Sequence, residues 1–350
     1  MTNSPPSYSD FIAPRYWPTW LGISLLCLAA LMPFRLRMAA GAALGWLIWC
    51  VARERRYITA INIGICFPAL DSRAQASLVK QSFLENGIGL VETACSWIRS
   101  PDQLADLGEM RGGKELQAAL DLGKGILLMG GHYSTLDFAA NVLSWYFPFG
   151  TTYRPHKNPL FDAFMFRGRL QNCTGVFDRK DIRGMYRHLK QGKILWYAPD
   201  QDYGPDQSVY APFFGRPAAT ITAGSRFANY NKSPVFLVRH HRDTLAKRYV
   251  VETIPIPGFP TGDDVEDAVL INRYLESAIC IAPAQYLWMH KRFKTNPGGK
   301  PESPYIQIST PNRKLSQNNY QQLTEGAQPV PGYADRQLLK SGLQLRTWPG

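Results

Sequence analysis

The stretch Gly130-Gly131-His132-Tyr133-Ser134-Thr135-Leu136-Asp137 holds the residues most able to do chemistry. An imidazole takes up a proton near neutral pH, and a carboxylate beside it can hold one tautomer and stabilise the imidazolium that forms. His132 and Asp137 therefore form a candidate base and its orienting acid. The pair brings no nucleophile of its own, so a hydroxyl on the substrate would have to attack. Direct acyl transfer from a thioester to an alcohol is the reaction that fits. Other readings remain open. Ser134-x-x-Asp137 also has the spacing of a helix capping box, which would make Asp137 structural. A histidine after two glycines can be a plain turn residue. Ser134 is a further nucleophile candidate, but no G-x-S-x-G elbow surrounds it.

The flanking pattern says how these residues would be positioned. Ile126-Leu127-Leu128-Met129 is a short apolar run between glycines and reads as a buried strand. A helix is expected over Ser134–Trp145, with Ser134 as its cap. His132 then lies at the carboxyl end of a strand, where ligands bind in open α/β sheets. Asp137 falls one turn into the helix and faces the same edge. Further strands are expected at Gly175–Asp178, Ile194–Ala198, Pro234–Arg239 and Arg248–Ile254. Helices are expected at Ala74–Ile98, Lys114–Leu122, Arg183–Gln191, Thr222–Asn231 and Asp264–Ala282. Alternating strands and helices imply an α/β fold with a mostly parallel sheet flanked by helices.

Polar clusters follow the first candidate strand. Arg154, Arg167, Arg169, Arg179, Lys180 and Arg183 are cations able to clamp phosphate, or else a solvated basic face. Asp200 and Asp202 follow the Ile194 strand. They lack a nearby histidine for a typical metal site, so a structural or substrate-orienting role is expected. Trp288-Met289-His290-Lys291-Arg292-Phe293-Lys294 mixes bases and aromatics. Without a nucleic-acid-binding signature around it, it reads as a surface for phosphate or an acidic partner.

The 350 residues, 45% of them hydrophobic, suffice for a full core. A formal charge of +12 favours an anionic partner. Six scattered cysteines form no CxxC pair, which excludes a zinc ribbon or redox motif of that kind. Trp20–Met32 and Met38–Ala52 are uncharged, yet each is shorter than the roughly 20 residues that cross a bilayer. One span beginning at Tyr16–Trp20, two helices dipping into one leaflet, and two core helices are all consistent with them. Arg35, Arg37, Arg53, Arg55 and Arg56 flank the runs and favour anionic lipid. Residues 1–56 are thus expected to attach the chain to a membrane, and 57–302 to form the catalytic domain. Residues 303–350, rich in Pro, Gly, Asn and Gln, are expected to form a poorly ordered tail.

The chain closely resembles the late acyltransferases of lipid A biosynthesis, the lauroyl acyltransferase group. The resemblance rests on PRYWPTWLGI at Pro14, NIGICFPAL at Asn62, GILLMGGHYSTLD at Gly125, YRPHKNPLFD at Tyr153, DRKDIRGM at Asp178, WYAPDQDYGP at Trp196 and APAQYLWMHKRFKTNP at Ala282. These run in order over roughly the first 300 residues. The resemblance implies a glycerolipid acyltransferase-like domain. It implies transfer of a fatty acyl chain, lauroyl or similar, from acyl carrier protein to the hydroxyacyl chain of a Kdo-bearing lipid A precursor. It implies attachment to membrane phospholipid at the cytoplasmic face of the inner membrane, no cofactor and no nucleic acid. It places the family's HxxxxD/E pair on His132 and Asp137. Many relatives carry Glu at the second position, and Asp137 is one methylene shorter, which changes its reach to His132. Arg154, Arg169, Arg179 and Asp200 are the expected sugar, phosphate or substrate contacts. Alternatives are an acyltransferase for another glycolipid or a lysophospholipid, a lipid-binding membrane protein without catalysis and, last, a nucleic-acid-binding protein.

Overall fold

The computed structural model describes residues 6–297 and 303–305. Four helices come first: α1 (Trp17–Leu31), α2 (Phe34–Val51), α3 (Arg53–Cys66) and α4 (Ser72–Ile98). Then follow β1 (Gly108–Arg111), α5 (Gly113–Leu120), β2 (Ile126–Met129), α6 (Leu136–Tyr146), β3 (Phe149–Tyr153), α7 (Pro159–Asn172), β4 (Gly175–Asp178), α8 (Ile182–Lys190) and β5 (Ile194–Tyr197). The rest of the domain comprises β6 (Ser208–Phe213), β7 (Arg216–Ile221), α9 (Ala223–Asn231), β8 (Val235–Asp243), β9 (Arg248–Pro255) and α10 (Asp264–Ile279).

Seven strands form one sheet in the order β1-β9-β8-β2-β5-β3-β4, and β6 and β7 make a separate hairpin. All neighbours in the large sheet are parallel except β8 and β9. The mostly parallel sheet flanked by helices is the expected fold class. Its strands alternate between two cores, as the two-residue period of a strand requires. Leu127, Met129, Leu195, Val235 and Leu237 face α3, α8, α9 and α10. Ile126, Leu128, Ile194, Trp196, Phe236 and Val238 face α5, α6 and the C-terminal half of α4. Because β2 is buried on both faces, all four of its residues are apolar.

Helix ends are set by local chemistry. Asp71, Asn158, Asp181 and Asp263 accept backbone N–H bonds at the starts of α4, α7, α8 and α10. The start of α6 departs from expectation. Ser134 does not cap it, and the helix begins at Leu136. The Ser134 hydroxyl has no hydrogen-bond partner among the described residues. Ser134 N instead donates to the carbonyl of Gln285 (2.7 Å), which draws the chain into an isolated antiparallel bridge between Tyr133 and Tyr286.

The two N-terminal apolar runs are helices. By length and composition α2 is apolar enough to cross a membrane, with a mean hydropathy of 1.3 over its 18 residues. Most of the expected tail lies outside the described residues. Of the described residues 303–305, Tyr305 is buried in the core, and its hydroxyl donates to Asn62 Oδ1.

Candidate functional site

The site is assembled on two neighbouring parallel strands. Met129 at the end of β2 is in register with Tyr197 at the end of β5. Three residues beyond each stand His132 and Asp200. Parallel strands in register deliver equal extensions to one place, so the two side chains meet at the carboxyl edge of the sheet. His132 Nδ1 lies 2.6 Å from Asp200 Oδ1, and His132 N donates to Asp200 Oδ2 at 2.7 Å. One carboxylate thus fixes both the ring and its backbone.

Of the two glycines before His132, Gly130 is required by close approach, and Gly131 leaves little room for a side chain. A Cβ on Gly130 would stand 2.8 Å from the Val238 carbonyl oxygen, and one on Gly131 would stand 3.0 Å from the Tyr133 ring. Tyr286, bridged to Tyr133, hydrogen-bonds Asp200 through its side chain. Leu287 N donates to the carbonyl of His132 at 2.9 Å. Gln285 closes the frame. Its Oε1 accepts from Arg242 N (2.8 Å) and its Nε2 donates to the Arg242 carbonyl (3.0 Å), locking the bridge to β8. Thr135 is held by His240 Nδ1 (2.8 Å), and burial pushes His240 down to about 3, so that ring stays neutral.

Electrostatics follow from this geometry. Burial disfavours the charged form of His132, but the Asp200 charge and hydrogen bond outweigh it and the net shift is upward. Burial alone would raise the Asp200 carboxyl; His132 and Tyr286 reverse that and hold it down to about 2. With Nδ1 occupied, Nε2 is the ring nitrogen left for chemistry, and the side chain is 27% exposed, enough to meet a substrate. A small pocket of about 10 Å³, room for a single water, adjoins the ring, lined by Asn62, His132, Asp200, Tyr286, His290 and Arg292.

Asp137 was expected to hold the imidazole, but its oxygens are engaged elsewhere. Oδ1 accepts from Arg169 Nε (2.9 Å) and Trp97 Nε1 (3.2 Å), and Oδ2 faces Arg169 Nη2 (3.3 Å). The shorter Asp side chain starts from helix α6, and Arg169 on α7 intercepts it. Asp137 still acts on His132 through space, its charge favouring the imidazolium while that of Arg169 opposes it. Arg169 was expected on sugar or phosphate; here it is the cation beside the imidazole, fixed by Asp137. The capping-box reading fails, because Ser134 and Asp137 do not bond each other's backbone.

Arg154 and Arg179 follow β3 and β4, whose ends Tyr153 and Asp178 are in register. Both are exposed, and both charges act on the Tyr203 hydroxyl, which also feels Asp200. They form an open cationic rim on the side of the site reached from Asp200. The Trp288–Lys294 stretch, expected as a surface for phosphate or an acidic partner, is divided between the core and the surface, with Lys294 exposed. Trp288, Arg292 and Phe293 are buried; Arg292 donates to the Ala219 carbonyl and Thr220 Oγ1, Lys291 pairs with Glu54, and Lys294 with Asp202. Asp202 itself clamps the loop through Thr295 N and Gly204 N.

Sequence reasoning assigned Asp200 to the substrate and missed its bond to His132. The available signal was positional: each residue lies the same distance past an apolar strand. Gln285, Tyr286, Trp97 and His240 carried no such signal.

A family model described as bacterial lipid A biosynthesis acyltransferase matches residues 5–295. The lipid A biosynthesis lauroyltransferase of Escherichia coli is 36% identical over 86% of this chain and 99% of its own length. The palmitoleoyltransferase of the same organism is 33% identical over 85% of this chain and 97% of its own length. Its myristoyltransferase is 25% identical over 83% and 91% respectively.

Proposed function

The chain belongs to the bacterial lipid A biosynthesis acyltransferase family, and from that premise we propose that His132 activates a hydroxyl on a lipid A precursor for attack on a fatty acyl thioester. His132 Nε2 takes the proton from the hydroxyl of an acyl chain already on the Kdo-bearing glycolipid. The oxygen attacks the thioester carbonyl carbon of an acylated carrier protein and the C–S bond breaks. The imidazolium returns its proton to the departing thiolate, which leaves a new ester and a free carrier thiol. Asp200 keeps the ring in the tautomer with Nδ1–H and balances the imidazolium charge. Asp137 holds Arg169 as a fixed positive charge beside the reacting atoms. Arg154 and Arg179 meet sugar or phosphate on the acceptor.

The observation that carries this reading is the 2.6 Å contact between His132 and Asp200 beneath a partly exposed ring. It supplies a base with an orienting acid and no protein nucleophile. The nearby Ser134 hydroxyl bonds to nothing among the described residues, and burial pushes the Cys173 and Cys280 thiols up to about 12, where they stay protonated. The formal charge of +12 suits both an acidic carrier protein and a phosphorylated lipid. Such an acceptor resides in the inner membrane, with the site at the cytoplasmic face. We assign residues 1–56 to membrane attachment and 57–302 to the acyltransferase domain.

The test is transfer by the purified chain from acylated carrier protein to the Kdo-bearing tetraacylated precursor, read by mass spectrometry. A mass gain of one acyl chain, absent in His132→Ala, is expected and gives the chain length. Equal transfer by His132→Ala would end the mechanism. Transfer only to a lysophospholipid acceptor would replace the substrate.

A further inference from the structure

Resting on the membrane-lipid reading above, we propose that the chain is monotopic: α1 and α2 lie in the cytoplasmic leaflet and neither crosses the bilayer. A crossing helix delivers its two ends to opposite water phases. Both ends of α1 are fastened to the same catalytic body. Near its start, Asn158 at the cap of α7 donates to Thr19 Oγ1 (2.8 Å), and Ile23 is buried with Leu160 and Ala163. At its end, Ala30 is fully buried in the core with Val91, Ala94 and Cys95, and Arg99 donates to the Leu31 carbonyl (3.1 Å). Its 15 residues span about 22 Å, short of a hydrocarbon core of about 30 Å.

Helix α2 is long enough to cross but is fitted to α4. A Cβ on Gly45 would stand 2.3 Å from the Phe83 carbonyl oxygen. One on Gly87 would stand 2.2 Å from Gly45 N, and one on Gly41 would stand 2.5 Å from Ile88 Cα. Three positions without side chains in one seam mark two helices meant to touch along their length. The same α4 supplies Trp97 to the candidate site. Moving α2 across a bilayer would require leaving that seam or dragging α4 along.

The opposite faces of α1 and α2 have no partner among the described residues. Trp17, Leu21, Leu25, Leu28 and Leu31 recur at helical spacing and are 58–62% exposed. Leu36, Trp46, Leu47 and Val51 continue the face on α2, 52–70% exposed. No charge interrupts Trp17–Met32, while exposed Arg15, Arg35, Arg53 and Arg55 stand at the helix ends. An apolar stripe edged by arginines matches an anionic phospholipid leaflet: acyl chains against the leucines, headgroups against the guanidinium groups. A second copy of the chain would bring like charges together along the same edge.

This seat has a consequence for the reaction. Helix α7, on which α1 rests, carries Phe161 and Phe164 against Trp97, and Trp97 Nε1 bonds Asp137. One aromatic layer therefore separates the leaflet-seated helix from the candidate site. A glycolipid can present its acyl hydroxyl from that leaflet without leaving it.

The experiment uses the full chain in cells, with Ser9→Cys before α1 and Arg35→Cys in the first turn of α2. Each is treated with a membrane-impermeant maleimide on intact spheroplasts and on inverted inner-membrane vesicles, against the wild-type cysteine background. Neither site is expected to label from outside, and both should label in inverted vesicles. Outside labelling of Ser9→Cys would show a single span, and of Arg35→Cys a two-helix hairpin across the bilayer; either overturns the proposal while leaving membrane attachment intact. Recovery of the chain in the soluble fraction, as monomer or dimer, would overturn the leaflet seat and the membrane reading together.

Discussion

His132 and Asp200 stand three residues beyond Met129 and Tyr197, a pair in register on adjacent parallel strands, and their side chains close a 2.6 Å contact. The strands run parallel and so end together. The contact is thus a property of the sheet itself, with no long loop needed to bring the acid to the base.

The first consequence concerns Asp200→Asn. The amide keeps the shape but can present an N–H to Nδ1 and so favours the wrong tautomer. Turnover should fall by about 10²- to 10⁴-fold with little change in acceptor affinity. Steady-state kinetics with a saturating acyl donor measure it. A fall smaller than that of Asp137→Asn would return the orienting role to Asp137.

The pH dependence follows with a definite sign. Burial opposes the charged ring, yet Asp200 prevails and holds His132 above its ordinary 6.5. The base works only when neutral. The rate should therefore fall as pH drops through a value higher than 6.5, whereas Asp200, held to about 2, stays ionised throughout. In Asp200→Asn the acidic limb should move to lower pH. The ion pair also adds stability below the unfolded imidazole value, and this is lost as pH rises through the folded one. Thermal unfolding of wild type and variant should accordingly diverge more at pH 5.5 than at pH 9. Profiles of kcat/KM and melting curves over that range test both statements.

Asp137→Ala should act through Arg169. Removing the carboxylate leaves a guanidinium whose side chain is only 18% exposed without its main partner. Breaking such a pair costs about 3 kcal/mol when fully buried, and less here, since water reaches part of it. A lowered melting temperature together with lost activity is expected. Asp137→Asn should keep more of the fold through the Trp97 bond. In a double-mutant cycle, Arg169→Gln added to Asp137→Ala should cost far less than it does alone; additive losses would show that the two side chains act separately.

Much of this was legible in the sequence, and the gaps have physical causes. The strands β2 and β5 are near-continuous apolar runs because both their faces are buried, so they stand out. Strand β3 reads Phe-Gly-Thr-Thr-Tyr and has only two buried residues, which left it unseen. Helix α7 escaped because Gly168 and its arginines mask the apolar period; that glycine is where Trp97 packs, at 2.2 Å from an added Cβ. The His-x4-Asp spacing drew attention to Asp137, which is near in sequence. Asp200 is 68 residues away and becomes a neighbour only through strand order. In the basic aromatic stretch after Trp288, Arg292 is buried on a backbone carbonyl and Thr220, while Lys291 and Lys294 pair with carboxylates and stay partly exposed, a division composition does not reveal.

Gln285 offers the last prediction, for a residue that touches no reacting atom. Its amide pairs with both backbone groups of Arg242, and its own carbonyl accepts from Ser134 N. Gln285→Leu keeps the volume and strands a buried N–H and C=O on β8. The desolvation cost is about 1–3 kcal/mol for each group left unpaired. If Gln285 only supported the fold, activity per folded molecule would be unchanged at a temperature well below melting. If it positions the catalytic loop, His132 shifts relative to its substrate, and misplacement of about 1 Å lowers turnover by about 10²-fold. We expect the second outcome: a loss in kcat exceeding any change in KM, with partial recovery in Gln285→Glu, which keeps an acceptor for Arg242 N. Unchanged kcat in the folded fraction would leave the Gln285 frame a matter of stability alone.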